Sequence, residues 1–335
     1  MGVSHALAYH RNPGFEIAGL VNRSSVTLPG ELRGYAVLDS FEAGLALKPG
    51  LVSVSTYTDS HAAYAIAAME AGAHVFVEKP LAPTVEDAER VVAAARRTGR
   101  KLVVGYILRH HPGWVEFIRR ARELGPPFVM RMNLNQQSSG SAWAIHKRLM
   151  ESTSPIVDCG VHYVDVMLQI TDSRPVQVRG MGVRLSPEIA GTQVNYGHLQ
   201  VIFEDGSVGW YEAAWGPMIS ETACFVKDVM GPRGSVSIVM DEGGSSSDIG
   251  THTRTARIRL HRAGTGPDGA LAPDEFLSMA DEPGHQALCE REQAFVLDAI
   301  LLDRDLDRHM QEAVRSLAVV LAADRSMREG RAVDL

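Results

Sequence analysis

The chain has 335 residues, a formal net charge of −7 at pH 7 and a hydrophobic content of 45%. A chain of this length can bury the cores of two domains, and its mild acidity argues against a nucleic-acid or anionic-membrane surface. No apolar run is long enough to cross a bilayer, so we expect no membrane span. Cys159, Cys224 and Cys289 are widely separated and lack the spacing of a zinc site, which indicates reduced thiols in a cytoplasmic protein.

Short apolar strands alternate with helices in the N-terminal third of the chain. Helices are predicted at 4–11, 40–47, 61–70 and 85–98, and strands at 15–21, 51–56, 73–77 and 101–106. Asp59 and Ser60 can cap the third helix, Thr84 can cap the fourth, and Gly99 can end it. Strands and helices in this order form a parallel sheet with right-handed crossovers. We therefore predict a doubly wound α/β domain over residues 1–109.

The predicted strand 73–77 is apolar on both faces, which is typical of a strand inside a parallel sheet. It ends at Glu78-Lys79-Pro80, where the proline has no N–H to donate and keeps Lys79 in extended backbone. Ligands of α/β enzymes bind beyond the carboxyl ends of such strands, so we expect Lys79 to point into a ligand crevice. The alternative for this lysine is an ordinary solvated strand end.

Beyond residue 110 the pattern changes to strands joined by tight turns. A helix at 113–124, a strand at 128–134 and a polar loop at 135–142 precede a helix at 156–170. Strands follow at 176–184, 196–203, 208–215, 223–230 and 235–240, and two helices close the chain at 285–302 and 308–328. We predict an α+β domain over residues 110–335 with a large, open and mostly antiparallel sheet.

The predicted helix 156–170 carries two acids and an imidazole at the spacing i, i+4 and i+7: Asp158, His162 and Asp165. This spacing places all three on one face of the helix. An imidazole that titrates near neutral pH suits proton transfer to or from an alcohol oxygen, and Asp158 could orient it. A metal pair is a competing interpretation, although no further ligand with suitable spacing lies nearby in the sequence. A structural alternative makes Asp158 a helix-start residue and His162 a satisfied core histidine.

These motifs, in this order along nearly the whole chain, resemble the Gfo/Idh/MocA oxidoreductase family. The residues that carry the resemblance are Gly2-x-x-His5, Thr58-Asp59-Ser60-His61, Ala71-Gly72-x-His74-Val75-x-Val77-Glu78-Lys79-Pro80, Arg109-x-x-Pro112 and Asp158-x-Gly160-x-His162-x-x-Asp165. The resemblance implies a Rossmann-type N-terminal domain that binds a nicotinamide cofactor, and a second domain that helps to bind a sugar- or polyol-like substrate. It also implies a homodimer or homotetramer formed through the open sheet of the second domain.

The resemblance further implies roles for individual residues. Lys79, Asp158 and His162 match the family's lysine, acid and imidazole, so we expect His162 to act as general base, supported by Asp158, while Lys79 holds the substrate oxygen. Glu78 is expected to orient Lys79, and Asp165 to have a supporting or structural role. The expected cofactor-binding residues are Gly2, Asn22, Arg23, Ser24, Thr56, Thr58, His61, Glu78 and Lys79. The expected substrate-binding residues are Lys79, Arg109, Trp143, Lys147, Asp158 and His162, with His146 beside two of them, and no metal is expected.

The chain departs from the family pattern in two places that bear on the cofactor. The first strand and most of its Gly-x-Gly-x-x-Gly turn would stand before Met1, and Gly2 matches only the last glycine, so we expect the first strand of the sheet to be missing. Where an acidic residue would bind the ribose of NAD, the sequence has Asn22-Arg23-Ser24. A guanidinium and a hydroxyl suit a 2′-phosphate, so the cofactor is predicted to be NADP or NAD, with NADP favoured.

The leading functional prediction is an NAD(P)-dependent dehydrogenase or reductase that acts on the CH–OH group of a sugar, polyol or related hydroxy compound. One alternative is a redox-neutral glycosidase of the same fold, which oxidises and re-reduces its sugar while keeping the cofactor. A second alternative is a non-catalytic protein that senses a sugar or cofactor, although such a protein has no need for Lys79 and His162 together.

Overall fold

The computed structural model describes residues 1–24, 26–222, 225–240, 244–265, 270–279 and 281–335. The chain forms two compact units: unit 1 contains Met1–His110 and Pro283–Val314, and unit 2 contains His111–Glu282 and Arg315–Leu335. The sequence predicts one domain from residue 110 to the C-terminus, whereas residues 283–314 lie in the N-terminal unit. No helix in the described ranges is long and apolar enough to span a membrane.

Helices and strands alternate through the N-terminal part of the chain, and strands dominate the middle. The helices are α1 (Gly2–Arg11), α2 (Phe41–Ala46), α3 (Thr58–Glu70), α4 (Val85–Thr98), α5 (Pro112–Glu123), α6 (Gly140–Leu149), α7 (Pro155–Thr171), α8 (Ile249–Thr253), α9 (His285–Leu301) and α10 (Asp307–Glu329). The strands are β1 (Leu20–Val21), β2 (Val37–Leu38), β3 (Leu51–Val54), β4 (His74–Val77), β5 (Leu102–Val104), β6 (Val129–Gln137), β7 (Pro175–Val183), β8 (Tyr196–Phe203), β9 (Val208–Gly216), β10 (Lys227–Gly231), β11 (Gly234–Val239), β12 (Arg257–Arg262), β13 (Glu275–Ser278) and β14 (Val333–Asp334). The elements predicted between residues 40 and 110 are all present.

Unit 1 is built on parallel strands. β3, β4 and β5 form one sheet in that order, and β1 and β2 form a separate parallel pair. The predicted Rossmann-like, parallel arrangement is confirmed. The strand predicted at 15–21 is shorter than expected, because only Leu20 and Val21 have ladder partners among the described residues.

Of the two helix caps predicted in unit 1, the one for α4 is confirmed and the one for α3 is wrong. The Thr84 side chain accepts a backbone N–H of the first turn of α4, and Gly99 ends that helix at φ 66°, a left-handed conformation that suits glycine. The cap predicted for α3 is wrong, since the helix already begins at Thr58, and Tyr57 before it makes no side-chain cap bond. Ser60 lies inside the first turn, where its hydroxyl donates to the Tyr57 carbonyl at 2.9 Å.

α9 belongs to unit 1 because its apolar face covers the parallel sheet. Val296 and Ala299 of α9 form a buried cluster with Phe76 of β4 and Val103 of β5. Hydrophobic periodicity identifies which face of a helix is buried but not which part of the chain it covers. The sequence therefore predicts α9 correctly as a helix and assigns residues 283–314 to the wrong unit.

Unit 2 is built on a large sheet. Among the described residues its nine strands have the order β13-β12-β11-β10-β6-β9-β8-β7-β14. Neighbouring strands are antiparallel except for β6 and β9, which run parallel. The predicted mostly antiparallel sheet is confirmed. α5 packs against β10, β11 and β12, and α7 packs against β6, β8 and β9.

The sequence interpretation missed β12, β13 and β14 and misplaced one loop. β12 alternates buried Ile258 and Leu260 with exposed residues, so a period-2 signal is present in the sequence. The polar loop predicted at 135–142 is wrong, since β6 continues to Gln137 and α6 follows closely. Pairing with β9 extends the polar end of β6, and local polarity does not reveal such pairing. The strand predicted at 223–230 begins at two residues outside the described ranges, and its described part contains most of β10.

Candidate active site

The Glu78-Lys79-Pro80 segment directly follows β4, the middle strand of the β3-β4-β5 sheet. Glu78 is buried, Lys79 is half-buried, and the Lys79–Pro80 peptide bond is cis. One carboxylate oxygen of Glu78 accepts the backbone N–H of Lys79 at 3.1 Å. Glu78 therefore holds the backbone of the lysine that follows it.

His5 of α1 holds the other oxygen of Glu78. Its Nε2 lies 2.7 Å from Glu78 Oε1, and both side chains are almost completely buried. The His5 ring also packs against Phe76, with ring centroids 4.7 Å apart. His5 is a site residue that the sequence interpretation missed: it belongs to a quoted motif, but its partner stands 73 residues away, and no local pattern predicts that pairing.

His61, which is expected to bind the cofactor, contacts the backbone with both ring nitrogens. The buried ring places Nδ1 2.8 Å from the Pro80 carbonyl oxygen and Nε2 3.0 Å from the Thr56 carbonyl oxygen. These carbonyls lie beyond the carboxyl ends of β4 and β3, so His61 ties two strand ends together. Because both ring nitrogens are directed at the backbone, His61 has a scaffold contact where a cofactor contact was expected.

Asn22, Arg23 and Ser24 line a pocket of about 390 Å³ in unit 1, together with residues 26 and 37–39. Asn22 Nδ2 donates to the Ser24 carbonyl at 2.5 Å, and Arg23 is exposed. Asp39, which directly follows β2, adds a carboxylate to the same pocket. The pocket thus combines groups that suit a phosphate with a group that suits a ribose hydroxyl. Asp39 was missed because it is distant in sequence from the turn at 22–24.

Gly2 and Thr58 are the first residues of α1 and α3. The residues that precede these helices, Met1 and Tyr57, make no side-chain cap bond. The N-terminal turn of a helix presents backbone N–H groups and a partial positive charge, which favour phosphate. Thr56 lies just before α3, and its hydroxyl oxygen lies 2.7 Å from that of Ser60. These features of unit 1 fit a phosphate-bearing dinucleotide.

A second carboxyl group, Glu292 of α9, is buried in unit 1. Burial raises its pKa well above the ordinary value, and the negative charge of Glu78 raises it further. Burial also raises the pKa of Cys289 to about 12, and the charges of Glu292 and Glu78 add to that effect. Burial and nearby negative charge therefore both favour the protonated forms of Glu292 and Cys289.

In unit 2, α7 carries Asp158 and His162 on an otherwise buried surface. The helix spans Pro155–Thr171, and the Ser154 side chain caps its first turn. The residues of α7 that are not buried are Asp158, His162, Gln169 and the terminal Thr171. The helical spacing expected from the sequence therefore leaves the carboxylate and the imidazole half-buried, one turn apart.

Asp165, the third polar residue predicted on one face of this helix, is 1% exposed and accepts a hydrogen bond from Gln169 Nε2 at 2.9 Å. This contact is internal to α7, which fits the structural role expected for Asp165. A metal site that uses these α7 residues would need further ligands. Within the described ranges, no group of three or more His, Cys, Asp or Glu side chains is arranged to hold a metal ion.

Gly160 lies between the two half-buried residues of α7 and faces the interior. A Cβ at this position would lie 3.2 Å from Tyr211 Cε1 and 3.1 Å from Val320 Cγ1. Tyr211 is fully buried, and burial raises its pKa, with the charge of Asp158 among the smaller causes. The glycine of the Asp158-x-Gly160 motif is therefore explained by the close approach of an aromatic ring.

α6 contributes His146, which was noted in the sequence only as a neighbour of expected substrate-binding residues. Its ring stacks on Trp215, with centroids 4.5 Å apart and an interplanar angle of 12°. Burial lowers the pKa of His146, and the charge of Asp158 acts in the opposite direction. Asp158 therefore influences His146 electrostatically, although α6 and α7 are separate helices.

Trp143 and Lys147 lie on the same helix α6. Trp143 is 5% exposed, and Lys147 Nζ lies 5.7 Å from the centroid of its ring. The same ammonium lies 2.7 Å from Glu188 Oε2 in a partly exposed ion pair. Lys147 therefore has partners within unit 2, and its role in substrate binding stays a prediction.

Arg109, another expected substrate-binding residue, forms an ion pair in unit 1. Its guanidinium donates to Glu312 Oε2 at 2.5 Å, and both side chains are largely buried. Glu312 also accepts a hydrogen bond from Arg308 at 2.8 Å. A substrate contact of Arg109 would have to compete with this buried pair.

Two family models match the chain. A model of the GFO/IDH/MocA oxidoreductases, described as having an NAD-binding Rossmann fold, matches residues 1–106, and the GFO/IDH/MocA C-terminal domain matches residues 116–237. The chain belongs to the GFO/IDH/MocA family. The resemblance stated from the sequence motifs is confirmed.

This GFO/IDH/MocA chain is similar to curated dehydrogenases. UDP-N-acetylglucosamine 3-dehydrogenase of Acidithiobacillus ferrooxidans is 30% identical over 189 residues, which cover 55% of this chain and 56% of that protein. Inositol 2-dehydrogenase of Klebsiella pneumoniae is 31% identical over 162 residues, which cover 47% of this chain and 46% of that protein. The chain thus spans about half the length of the curated relatives it matches.

A solved structure shares the fold of this GFO/IDH/MocA chain. The oxidoreductase domain protein from Kribbella flavida matches with a TM-score of 0.81 at 21% identity, covering 100% of this chain and 96% of that chain. At this level of identity, the likeness concerns the fold.

The predicted site residues of this GFO/IDH/MocA chain are divided between the units. Unit 1 contains Gly2, Asn22, Arg23, Ser24, Thr56, Thr58, His61, Glu78, Lys79 and Arg109, and unit 2 contains Trp143, Lys147, Asp158 and His162. Within unit 1 the structure brings together Asn22, Arg23 and Ser24 in one pocket, and Glu78 with the backbone of Lys79. Within unit 2 it leaves Asp158 and His162 half-buried on α7.

Proposed function

We propose that this GFO/IDH/MocA protein is an NAD(P)-dependent oxidoreductase that transfers hydride between a nicotinamide cofactor and a CH–OH carbon of a sugar, polyol or related hydroxy compound. The observation that carries the proposal is the half-buried pair of Asp158 and His162 on the otherwise buried helix α7. A carboxylate and an imidazole one turn apart suit proton removal from a hydroxyl group. The dehydrogenase names of the two relatives support the same class of reaction.

Each proposed catalytic residue has one task. Oxidation of an alcohol to a carbonyl removes the hydroxyl proton and the hydride on carbon, and the nicotinamide supplies the hydride acceptor when it is bound. His162 takes the hydroxyl proton, and Asp158 stabilises the imidazolium that forms. The Lys79 ammonium donates a hydrogen bond to the substrate oxygen as negative charge develops on it. In the reductive direction, His162 returns the proton to that oxygen.

The cofactor preference is the second part of the proposal. Arg23 and Ser24 in the 390 Å³ pocket favour the 2′-phosphate of NADP, whereas Asp39 favours the unphosphorylated ribose. We propose that NADP binds more tightly than NAD and that Arg23 carries the difference. Titration of both cofactors tests this, because Arg23→Ala should weaken NADP binding more than NAD binding. Tighter binding of NAD by the unaltered chain would contradict it.

We also propose self-association through the large sheet of unit 2. Apolar side chains on β7 and β8 are exposed, among them Met181 at 54%, Val183 at 48% and Ile202 at 42%. Exposed apolar side chains on a sheet are candidates for a protein interface. Analytical ultracentrifugation at several concentrations tests whether the protein is a dimer or tetramer, and Met181→Lys should shift it toward monomer.

A cytoplasmic location is proposed as well, since Cys159 and Cys289 are free thiols.

The catalytic assignment is tested by Lys79→Ala and His162→Ala. Turnover is followed as NADH or NADPH absorbance with inositols, aldoses, polyols and UDP-N-acetylhexosamines as substrates. Each variant should lose activity by roughly a hundredfold or more if its side chain acts in the transition state. Lys48→Ala and His10→Ala, at exposed positions of unit 1, are the matched controls and should retain activity. Unchanged turnover in both site variants would remove the assignment, and sugar hydrolysis with retained cofactor would favour the redox-neutral glycosidase.

A further inference from the structure

A continuous chain of hydrogen bonds in unit 1 ends at the backbone of Lys79. Tyr9 Oη donates to Gln293 Oε1 at 2.6 Å, and Gln293 Nε2 lies 3.0 Å from His5 Nδ1. His5 Nε2 lies 2.7 Å from Glu78 Oε1, and Glu78 Oε2 accepts the Lys79 N–H at 3.1 Å. We call these contacts the Gln293–His5–Glu78 relay. It connects α9 and α1 to the strand-end segment after β4.

The direction of each hydrogen bond in the relay follows from the donors available. The Tyr9 hydroxyl has a single proton, which it directs at Gln293 Oε1 at 2.6 Å. The Gln293 carbonyl oxygen accepts that proton, and its NH₂ group therefore faces His5 Nδ1. Nδ1 must supply a lone pair, so His5 carries its ring proton on Nε2 and donates it to Glu78.

We propose that Gln293 and His5 are positioning residues, which fix one tautomer of His5 and thereby hold Glu78 as a carboxylate that keeps the Lys79 backbone in place. This inference rests on the proposed function of Lys79. Both Glu78 oxygens accept hydrogen bonds, one from His5 and one from the Lys79 N–H, as an ionised carboxylate does.

The burial of the relay gives these hydrogen bonds their effect. His5 is 1% exposed, Gln293 is 0% exposed and Glu78 is 6% exposed. In a dry interior, a satisfied polar network restricts motion, whereas an unpaired polar group is costly, so the side chains have few alternative arrangements. Burial and the nearby Glu78 carboxyl group raise the pKa of neighbouring Glu292, which favours its protonated form.

The position of Lys79 at a strand end explains why such a relay is needed. The backbone there is not part of a helix, and the side chain of Glu78 accepts the Lys79 N–H. A displacement of about 1 Å at a catalytic group can lower a rate roughly a hundredfold. Losing the Gln293 contact should therefore reduce turnover without removing any group that contacts the substrate.

The tautomer of His5 is the first test, and it is independent of activity. Long-range ¹H–¹⁵N spectra of histidine-labelled protein report which ring nitrogen carries the proton, and His5→Gln assigns the signal. We expect the proton on Nε2 with Nδ1 bare at neutral pH. A proton on Nδ1 alone, or on both nitrogens, would overturn the proposed direction of the relay.

The second test compares Gln293→Leu with Gln286→Leu. Gln286 is a matched control, since it lies on the same helix and donates to the Ser4 carbonyl of α1 at 3.0 Å but is outside the relay. Residue-resolved hydrogen–deuterium exchange should show faster exchange of the Lys79 N–H in Gln293→Leu, by roughly tenfold or more for an amide whose acceptor becomes mobile. Exchange in Gln286→Leu should match the unaltered chain. Equal protection in all three proteins would overturn the proposal.

Kinetics separate a positioning role from a purely structural one. In Gln293→Leu, kcat should fall roughly tenfold to a hundredfold while KM for cofactor and substrate changes little, because the displaced group acts in the transition state. Tyr9→Phe keeps the packing and removes the hydroxyl that orients Gln293, so it provides a milder variant if Gln293→Leu fails to fold. A parallel rise in KM with constant kcat would count against positioning. If the unaltered protein shows no turnover, the proposed function fails, while the tautomer and exchange data still decide the relay.

Discussion

The two groups of proposed catalytic residues are held by different kinds of contact. In unit 1, the backbone of Lys79 is held through Glu78, His5 and Gln293, which come from distant parts of the sequence. In unit 2, Asp158 and His162 are placed side by side by one turn of α7. The first group depends on buried polar partners, whereas the second depends on the helical repeat and on the packing beneath the helix.

This difference predicts where each group is sensitive. The segment after a strand, unlike a helix, makes no regular hydrogen bonds between its own backbone groups. Removal of a buried polar partner should therefore disturb unit 1 most. An α-helix satisfies its backbone internally, so overpacking beneath α7 should disturb unit 2 most. The following substitutions test this contrast in order of decreasing expected effect.

The largest effect is expected for His5→Leu in unit 1. It leaves the buried carboxylate of Glu78 without its imidazole partner, and removing one member of a buried, hydrogen-bonded pair costs roughly 3 kcal/mol. Urea unfolding at pH 7 measures the loss of free energy of unfolding. His10→Leu, an exposed position on the same helix, should cost much less. A loss below about 1 kcal/mol for His5→Leu would show that polar anchoring contributes little there.

A smaller effect is expected for Gly160→Ala in unit 2. The new Cβ would approach Tyr211 Cε1 to 3.2 Å, and overpacking of this kind costs about 1–2 kcal/mol. Gly44→Ala is a matched control, because Gly44 also lies within a helix but its Cβ would meet Val21 Cγ2 at an ordinary 3.5 Å. That control should stabilise the protein by about 0.5–1 kcal/mol through helix propensity. Equal effects of the two substitutions would contradict the packing argument for α7.

Glu292→Gln tests the buried acid of unit 1 through pH. The folded-state pKa of Glu292 is raised above its ordinary value of 4.5, so between these values the unfolded chain loses a proton that the folded chain retains. The stability of the unaltered protein should therefore fall relative to Glu292→Gln as pH rises above about 4.5, by at most about 1.4 kcal/mol per pH unit. Paired urea titrations at pH 4, 5 and 6 measure the difference. A difference that does not change with pH would mean that Glu292 is ionised in the folded protein.

The smallest effect on stability is expected for Lys147→Gln in unit 2. The ion pair of Lys147 with Glu188 is partly exposed, with side chains 33% and 51% accessible, and such pairs are screened by salt and contribute little. Thermal melts should show no change beyond measurement error. If Lys147 binds substrate as the sequence predicts, KM should rise while stability stays constant. An unchanged KM would remove Lys147 from the substrate-binding group.

Prediction from the sequence succeeded where the signal is local. The Thr84 cap, the Gly99 stop and the half-buried pair on α7 each depend on residues within a few positions of one another. The family motifs also located Glu78 and Lys79 at the end of β4. Contacts with remote partners were not predicted: His61 contacts two backbone carbonyls, and Asp39 lines the pocket of residues 22–24 from beyond another strand. Cofactor binding by His61 stays a prediction.

The sequence by itself determined the family, the order of parallel strands and helices in the N-terminal part, and the face of α7 that carries Asp158 and His162. These features follow from helical and strand periodicity and from contiguous motifs, which act over short distances along the chain. Only the tertiary structure decided that residues 283–314 join unit 1, that His5 and Gln293 hold Glu78, and that Gly160 makes room for Tyr211. Buried polar pairing and close packing depend on which distant segments meet, and that information is not local to any stretch of the sequence.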